Sequence, residues 1–324
     1  MNILITGGAG FVGARLTRAL QERFPDAQLL VLDDFRTGTF ANLCPDGPDG
    51  WSYRGQVVAR PMREFDLDHL LESLEPEVVF HLASITDTRV DDESKMIADN
   101  VEPFEVLLAY ACQSGSRLVW ASSAATYGQD ANGARQARRP FKLEDAGRPA
   151  NVYGFSKWVM ENMHRDAQRA HPDAGLVGLR YFNVFGPGEQ NKGPMASMVW
   201  QLANQMLDGK APRIFHDGEQ ARDQVYVDDV VDATIAGAGP DAESGVYNVG
   251  AGQATSFNQI VDALNAALGT AYEPEYFDNP YGFYQDYTCA DLSETERGLK
   301  WKPARTPDQA IAEYARWIAA RRGA

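Results

Sequence analysis

The glycine-rich turn that begins at Gly7 limits the choice of folds more than any other part of this sequence. It joins a short apolar run, residues 2–6, to an amphipathic stretch, residues 11–24. Glycine is needed there because the turn is tight, the backbone must approach a pyrophosphate, and the helix must pack closely on the strand. The free amides and the dipole of the helix N-terminus then attract the phosphates. The predicted dinucleotide contacts are Gly7, Gly10, Phe11, Val12 and Gly13.

Short β-type runs alternate with amphipathic helical patterns along most of the chain. Such alternation predicts a parallel sheet that is covered by helices on both faces. We expect an α/β fold with a doubly wound Rossmann sheet over residues 1–180, to which 218–250 partly return, and a smaller α/β C-terminal substrate domain over 181–324. The predicted strands are 2–6, 28–33, 57–60, 77–82, 117–122, 176–184, 224–227 and 246–249. The predicted helices are 11–24, 95–113, 152–170, 195–207, 228–238, 255–268 and 307–320.

Composition excludes several classes of protein. The 324 residues are 44% apolar, which is enough for a substantial core and argues against disorder. A formal charge of −15 at pH 7 opposes binding to nucleic acid or to an anionic membrane. The three cysteines form no CxxC pair and fit free thiols in a reducing compartment. No signal peptide or membrane span is evident, so we expect a cytoplasmic protein, and we predict no metal site.

Carboxylates follow the second predicted strand, where the adenosine ribose of a dinucleotide lies in this kind of fold. Asp33, with Asp34 beside it, is placed to accept hydrogen bonds from the ribose hydroxyls, which favours NAD. A cap on the local turn is the alternative role for Asp33. Arg36 is close enough to pair with a 2′-phosphate, so NADP stays an alternative. The small residues after the fourth strand, which would let the cofactor cross the sheet edge, are Leu82, Ala83 and Ser84.

Three polar residues predict the chemistry. Ser123 follows the fifth predicted strand, and Tyr153 and Lys157 lie one helical turn apart and share a face. A phenol titrates near pH 10, and we expect the adjacent Lys157 ammonium to lower the pKa of Tyr153 and make it a base. Lys157 would also hold the nicotinamide ribose, and Ser123 would hydrogen-bond the substrate oxygen. A surface tyrosine beside a solvated lysine is the alternative, because this spacing is common in helices.

Four segments resemble the extended short-chain dehydrogenase/reductase family, and the resemblance covers essentially the whole chain. They are residues 6–13 (TGGAGFVG), 121–128 (ASSAATYG), 151–157 (NVYGFSK) and 180–187 (RYFNVFGP). The resemblance implies an NAD(P)-dependent enzyme with a tightly bound cofactor, a nucleotide-diphosphate sugar as substrate, and a homodimer or larger homo-oligomer. It also implies that Asn100 lies beside the cofactor and that Asn183 and Arg222 grip the diphosphate, for which an arginine fork is well suited. Without it, Arg222 and Asp223 would read as a surface ion pair.

Within that family, three runs resemble the ADP-glycero-manno-heptose 6-epimerases: residues 191–197 (NKGPMAS), 222–227 (RDQVYV) and 284–292 (YQDYTCADL). This implies inversion at C6 through a transient ketone, with hydride returned to the opposite face. Tyr153 would be the base for one epimer and Lys192 for the other; a solvated lysine or a phosphate ligand is the alternative for Lys192. The implied substrate contacts are Ser123, Asn183, Gln201, Phe215, Arg222 and Tyr284.

The sequence departs from the heptose epimerases at several positions. Pro194 and Gln201 stand where those enzymes carry serine and histidine, which leaves the exact sugar open. Phe40 replaces a lysine that would favour a 2′-phosphate, and this substitution favours NAD.

Other activities share parts of this set of residues. A sugar 4,6-dehydratase needs acidic groups just after the serine, where Ala124 and Ala125 stand. A nucleotide-hexose 4-epimerase of the UDP-glucose type or a decarboxylase would use the same serine, tyrosine and lysine, and the need for Lys192 separates them from a heptose epimerase. A non-catalytic dinucleotide sensor would keep the glycines but would not need Ser123, Tyr153 and Lys157 together.

Overall fold

The structure, a computed structural model, describes residues 1–44, 50–87, 92–128, 138–278 and 285–323. The strands within these ranges are β1 (Asn2–Thr6), β2 (Gln28–Leu32), β3 (Gln56–Val58), β4 (Val78–His81), β5 (Arg117–Ser123), β6 (Leu176–Tyr181), β7 (Asn183–Phe185), β8 (Arg213–Phe215), β9 (Ala221–Tyr226), β10 (Gly245–Val249), β11 (Ala254–Ser256) and β12 (Glu275–Phe277). The α-helices are α1 (Phe11–Arg23), α2 (Phe40–Leu43), α3 (Leu67–Leu74), α4 (Glu93–Ser114), α5 (Val152–Ala170), α6 (Met198–Leu207), α7 (Val227–Gly237), α8 (Phe257–Leu268), α9 (Ser293–Leu299) and α10 (Pro307–Arg322).

The large sheet has the strand order β3-β2-β1-β4-β5-β6-β10, and all neighbouring strands run parallel. From β1 the chain builds outward first toward β3 and then, from β4, in the other direction. The crevice outside the carboxyl ends of β1 and β4 is therefore the position at which ligands bind in doubly wound sheets. The expected α/β Rossmann fold is confirmed.

Strand burial explains why the sequence folds this way. Residues of β1 alternate between the two faces, so that Ile3 and Ile5 pack in one core while Leu4 packs in the other. The first core includes Leu16 of α1 and Val230 of α7, and the second includes residues of α3, α4 and α5. Both faces are covered, and the strands consequently form nearly continuous apolar runs.

A smaller unit lies beyond β6 along the chain. It contains the three-stranded sheet β11-β9-β7 and the parallel pair β12-β8. Its own core joins α6, α8 and α10 through residues such as Leu202, Ile260 and Tyr314. After β9 the chain returns through α7 to the large sheet, where β10 pairs with β6. The division of the chain into domains at 180 and 181 stays a prediction. Among the helices of the described residues, none has both the length and the apolar character needed to cross a membrane.

Several element boundaries differ from the sequence predictions. The strand predicted at 176–184 is two strands in two different sheets, with the break at the buried Phe182, whose amide donates to the Val249 carbonyl oxygen. The helix predicted at 195–207 begins at Met198, because the Ser197 side chain accepts a hydrogen bond from the Trp200 amide and caps it. The strand predicted at 224–227 begins earlier, at Ala221. The short helices α2, α3 and α9 and the short strands β8 and β12 had no prediction.

Two glycines with similar backbone conformations test how tightly the chain packs around Gly128, which lies after β5. Gly115 and Gly128 both have a positive φ, of 76° and 60°. A Cβ at Gly128 would lie 1.5 Å from the Arg148 carbonyl oxygen, whereas a Cβ at Gly115 would have no atom within 4 Å. We expect Gly115→Ala to lower the free energy of unfolding by about 1 kcal/mol and Gly128→Ala by more than about 3 kcal/mol. Equal losses in urea unfolding would contradict this packing.

Candidate active site

The glycine turn between β1 and α1 leaves no room for side chains. Gly7 has a φ of 70°, and a Cβ there would lie 2.7 Å from the Ala83 amide nitrogen. A Cβ at Gly13 would lie 2.0 Å from the Gly7 carbonyl oxygen. Helix α1 has Gly10 as its N-cap residue and no side-chain hydrogen bond at this end. A bare helix N-terminus at the switch point fits a pyrophosphate, with Phe11 and Val12 as the first helical residues.

The loop after β4 forms the other wall of this crevice. Thr6 Oγ1 hydrogen-bonds His81 Nδ1 at 2.8 Å and accepts from the Ala83 amide at 3.3 Å. Burial, together with the charge of Lys157, lowers the pKa of His81 to about 3, so this ring is neutral at pH 7. The buried Ser84 Oγ has no hydrogen-bond partner within the described parts of the chain. An unsatisfied hydroxyl beside the glycine turn fits a site for a polar ligand, and the cofactor contacts at Leu82, Ala83 and Ser84 stay predictions.

At the predicted adenosine end, Asp33 caps the local turn. Its carboxylate accepts hydrogen bonds from the amides of Ala9 (2.9 Å) and Phe35 (2.8 Å). Burial raises the pKa of Asp33, although the two backbone hydrogen bonds oppose this. The turn-cap role weighed from the sequence is therefore present, and the contact with a ribose stays a prediction.

Arg36 is occupied by two carboxylates. Its guanidinium lies 2.8 Å from Asp34 Oδ2 and 3.3 Å from Asp99 Oδ2 on α4. Asp99 also pairs with Lys95 at 2.7 Å and with Arg63 at 3.3 Å. A 2′-phosphate would have to displace these carboxylates and would meet their negative charge. The geometry at Arg36 favours NAD over NADP.

Helix α5 carries two of the four predicted catalytic residues. The Asn151 side chain accepts from the Gly154 amide at 2.8 Å and fixes where the helix begins. Tyr153 and Lys157 follow on one face, and Ser123 ends β5, where its Oγ accepts from the Ala125 amide at 3.1 Å. The structure therefore brings a strand end and a helix start together as the sequence predicted.

The expected effect of Lys157 on Tyr153 is not found. Burial raises the pKa of Tyr153, and it is the Ser123 side chain that partly opposes this rise. Burial also lowers the pKa of Lys157 to about 7. The physical reason for the difference is desolvation, which disfavours the charged form of both groups. The prediction that Lys157 lowers the pKa of Tyr153 is wrong for the protein alone.

Lys192 lies over the glycine turn. Its Nζ is 5.3 Å from the centre of the Phe11 ring, at the first position of α1. Burial lowers the pKa of Lys192, although the charge of Glu189 opposes the change. Next to it, Asn191 Nδ2 donates to Thr39 Oγ1 at 3.2 Å. A half-buried position does not fit the solvated-lysine alternative, whereas both a base and a phosphate ligand fit this place.

Two side chains hold the segment that carries Lys192. The fully buried Glu189 accepts from the Gly186 amide at 3.1 Å and from Ser197 Oγ at 2.8 Å. Gln201 Nε2 donates to the Ala196 carbonyl oxygen at 2.8 Å. Gln201, predicted as a substrate contact, therefore supports the segment with its amide. Glu189 was missed by the sequence reasoning, because nothing in its surroundings marks a carboxylate as buried.

The predicted diphosphate contacts lie on neighbouring strands. Asn183 on β7 is exposed, and its Oδ1 accepts from Thr288 Oγ1 at 3.2 Å. Arg222 on β9 is buried and donates to the Ala221 carbonyl oxygen at 3.2 Å. Asp223 is fully buried and accepts from the amides of Gly252 (3.0 Å) and Ala290 (2.8 Å). The surface ion pair considered for Arg222 and Asp223 is therefore wrong, and burial raises the pKa of Asp223 to about 7.

The two remaining predicted substrate contacts are aromatic. Phe215 ends β8 and packs edge-to-face on Phe277 of β12, with ring centroids 4.8 Å apart. Tyr284 lies outside the described residues.

Asn100 connects two parts of the site. Its Oδ1 accepts from the Ile85 amide at 2.7 Å, and its Nδ2 donates to Ser156 Oγ at 3.0 Å. The side chain is buried and ties the loop after β4 to α5. Asn100 therefore supports two walls of the crevice, and its position beside the cofactor stays a prediction.

Fold and site together define a Rossmann enzyme whose dinucleotide crevice adjoins a serine, a tyrosine and two lysines. The chain belongs to the NAD dependent epimerase/dehydratase family, whose model matches residues 3–250. It is thus an NAD-dependent enzyme of the nucleotide-sugar epimerase and dehydratase class.

Solved structures agree with this assignment. The ADP-L-glycero-D-manno-heptose-6-epimerase of Helicobacter pylori is 36% identical, with a TM-score of 0.85 over 98% of this chain and 96% of that one. The UDP-glucose 4-epimerase of Thermotoga maritima, solved with UDP-glucose, is 27% identical, with a TM-score of 0.83 over 99% of both chains. The UDP-N-acetylglucosamine 4-epimerase of Methanobrevibacter ruminantium M1 is 25% identical, with a TM-score of 0.85 over 99% of this chain and 98% of that one.

The buried Lys157 generates a prediction on stability. Its folded pKa of about 7 lies below its unfolded value, so the unfolded chain binds more protons between about pH 7 and pH 10. Stability of the parent therefore rises with pH across that window. We expect Lys157→Met to increase the free energy of unfolding by about 4 kcal/mol at pH 7 and by much less at pH 10. Lys210→Met, at an exposed lysine, is the control in urea unfolding, and a pH-independent gain in the Lys157 variant would contradict the burial argument.

The carboxylates on Arg36 generate a prediction on cofactor choice. Asp99→Asn removes one of them, and we expect the Kd for NADP to fall about tenfold while the Kd for NAD changes less than about twofold. Calorimetric titration of cofactor-free protein measures both values. Glu102→Gln is the control, because Glu102 pairs with Arg63 at 2.7 Å and does not contact Arg36. Equal changes in both cofactors would show that Asp99 has no part in the choice.

Proposed function

We propose that the chain is a nucleotide-sugar epimerase that inverts C6 of an ADP-glycero-manno-heptose. The observation that carries this proposal is Lys192, half-buried over Phe11 beside the dinucleotide crevice, with a pKa that burial lowers. Inversion needs proton handling at two different oxygen positions, and a single tyrosine serves one of them. Lys192 supplies a second group from a different element of the fold. The 36% identity to a heptose 6-epimerase supports the same substrate class.

The glycine turn, the uncapped start of α1 and the loop after β4 would hold the NAD, which supplies the acceptor and donor of hydride when bound. Tyr153 handles the proton of the sugar hydroxyl in one epimer. Ser123 hydrogen-bonds the same oxygen and keeps it next to the phenol. Lys157 holds the nicotinamide ribose, and the Ser123 hydrogen bond partly opposes the rise in the pKa of Tyr153 that burial causes.

Lys192 handles the proton of the other epimer. It reaches the crevice from the segment after β7, whereas Tyr153 reaches it from α5. Two groups on separate elements can face the same carbon from different directions, as inversion requires. Because the pKa of Lys192 is lowered, a larger fraction is neutral near pH 7 and able to accept a proton.

Asn183 and Arg222 hold the diphosphate of the substrate. They lie on the paired strands β7 and β9, where Asn183 is opposite Gln224. The Arg222 guanidinium can bind two phosphate oxygens at once. It also supplies a local positive charge for the diphosphate in a protein whose formal charge is −15. The tight retention of NAD, the homodimer or larger homo-oligomer and the cytoplasmic location stay predictions from the sequence.

The experiment that tests this function offers the purified protein ADP-D-glycero-D-manno-heptose and, separately, UDP-glucose. Epimer formation is followed by proton NMR, and the cofactor released from the protein is identified by mass spectrometry. Turnover of the heptose alone, with NAD in the protein, is the expected result. Turnover of UDP-glucose alone would replace the proposal by a nucleotide-hexose 4-epimerase. Turnover of neither would refute the assignment of the substrate.

The two-base assignment has its own test. We expect Tyr153→Phe to abolish turnover while NAD stays bound, and Lys192→Ala to slow epimerisation by at least about 100-fold. The Lys192 variant should still oxidise one epimer, which is visible as the absorbance of the reduced cofactor. Lys210→Ala, at an exposed lysine, is the matched control. Epimerisation at the parent rate in Lys192→Ala would remove Lys192 from the mechanism.

A further inference from the structure

Five buried polar side chains form one hydrogen-bonded network beneath the predicted catalytic residues. They come from β5, the turn after it, α5, β6 and β10, and each is at most 2% exposed. The members are Ser122, Tyr127, Glu161, Arg180 and Asn248. None has a role in the proposed function.

One branch of the network ties the catalytic helix to the catalytic strand. Glu161 lies two turns after Tyr153 on the same face of α5. Its Oε1 accepts from Ser122 Oγ at 2.7 Å and from Arg180 Nε at 2.8 Å, and its Oε2 accepts from Arg180 Nη2 at 2.7 Å. Ser122 immediately precedes Ser123. The helix with the tyrosine and lysine is therefore joined to the strand with the serine.

The other branch runs from Arg180 to the C-terminal part of the chain. Arg180 Nη1 donates to Tyr127 Oη at 2.9 Å, and Tyr127 Oη donates to Asn248 Oδ1 at 2.7 Å. Asn248 Nδ2 then donates to the Asp291 carbonyl oxygen at 3.1 Å. Asp291 belongs to the segment 285–292, which we call the strap.

The strap contacts the predicted diphosphate site directly. Thr288 of the strap donates to Asn183, and the Ala290 amide donates to Asp223, the residue after Arg222. The Thr288 amide also donates to the Ala221 carbonyl oxygen at 3.1 Å. The strap, at which the network ends, thus contacts Asn183 directly and contacts Asp223, the chain neighbour of Arg222.

Stability alone does not account for such a network. A buried ion pair costs so much desolvation that apolar side chains of similar volume are often as stable. The hydrogen bonds of the network, by contrast, fix the distances between the strands and the helix that they join. Hydrogen bonds from Arg180 hold the pKa of Glu161 below its usual value although burial raises it, so the pair stays ionised near neutral pH.

We propose that Arg180 is a positioning residue with two separable actions. Through Glu161 and Ser122 it sets Tyr153 and Lys157 against Ser123. Through Tyr127 and Asn248 it sets the strap, and with it the phosphate contacts, against the same helix. The first action governs the chemical step and the second governs the binding of the nucleotide diphosphate.

Two mild variants separate the branches without removing the buried charges. Ser122→Ala removes one hydroxyl from the first branch, and we expect kcat to fall about tenfold with KM within about twofold, because small misplacements of reacting groups slow chemistry. Tyr127→Phe removes one hydroxyl from the second branch, and we expect KM to rise about tenfold with kcat within about twofold. ADP-heptose is the substrate in both cases, so this part rests on the proposed function.

Buried hydroxyls outside the network are the controls. Ser116→Ala loses a hydrogen bond to the Pro76 carbonyl oxygen, and Tyr181→Phe loses one to Thr234 Oγ1 at 2.7 Å. We expect both controls to keep the kcat and KM of the parent, even if their melting temperatures fall as far as those of the test variants. Identical kinetics in test and control variants would reduce the network to a structural element and overturn the proposal.

Hydrogen exchange tests the strap without any substrate. Tyr127→Phe is expected to speed exchange of the Thr288 and Ala290 amides at least about fivefold, whereas Ser122→Ala leaves them unchanged. If the parent does not epimerise the heptose but this exchange pattern is found, the proposed substrate fails and the network stands. If the parent is active but the strap exchanges alike in both variants, the coupling through Arg180 is refuted.

Discussion

The close packing of the β1–α1 turn against helix α1 and the loop after β4 determines how the crevice and the residues around it are arranged. Backbone atoms of Gly7 occupy the place where a Cβ of Gly13 would stand, and the loop after β4 occupies the place of a Cβ on Gly7. Helix α1 can therefore approach the sheet closely, and its uncapped N-terminus opens at the switch point. Phe11 at that N-terminus is the surface on which Lys192 lies, so a residue far along the chain depends on a turn near its start.

The sequence predicts the large sheet well because its physical cause is local. Strands covered on both faces must be apolar throughout, and each is followed by an amphipathic helix. The break at Phe182 was not predictable in this way, because apolar residues continue from one sheet into the next. The short helices α3 and α9 were not predicted, because one or two helical turns show too little periodicity in the sequence. Helices of this length depend on tertiary contacts for their stability.

For the site, the sequence predicts which residues lie near one another but does not predict their electrostatics. Ser123, Tyr153 and Lys157 come together because a strand end and a helix start adjoin at one sheet edge. The direction of the pKa of Tyr153 depends on how deeply it is buried, which spacing does not reveal. The same holds for the burial of Asp223, which the sequence alone suggested as half of a surface ion pair, and of Glu189, for which the sequence provides no prediction. The pairing of Arg36 with Asp99 on α4 could not be predicted, because this contact joins distant parts of the chain.

The return of the chain to the large sheet after β9 also has a consequence for biosynthesis. Strand β6 is made early, but its outer neighbour β10 is separated from it by β7, α6, β8, β9 and α7. During translation the outer edge of β6 therefore stays without its partner strand until all five of these elements and β10 itself have left the ribosome. An unpaired apolar edge is a place where nascent chains associate wrongly, so this topology makes the protein depend on the timely folding of its C-terminal part.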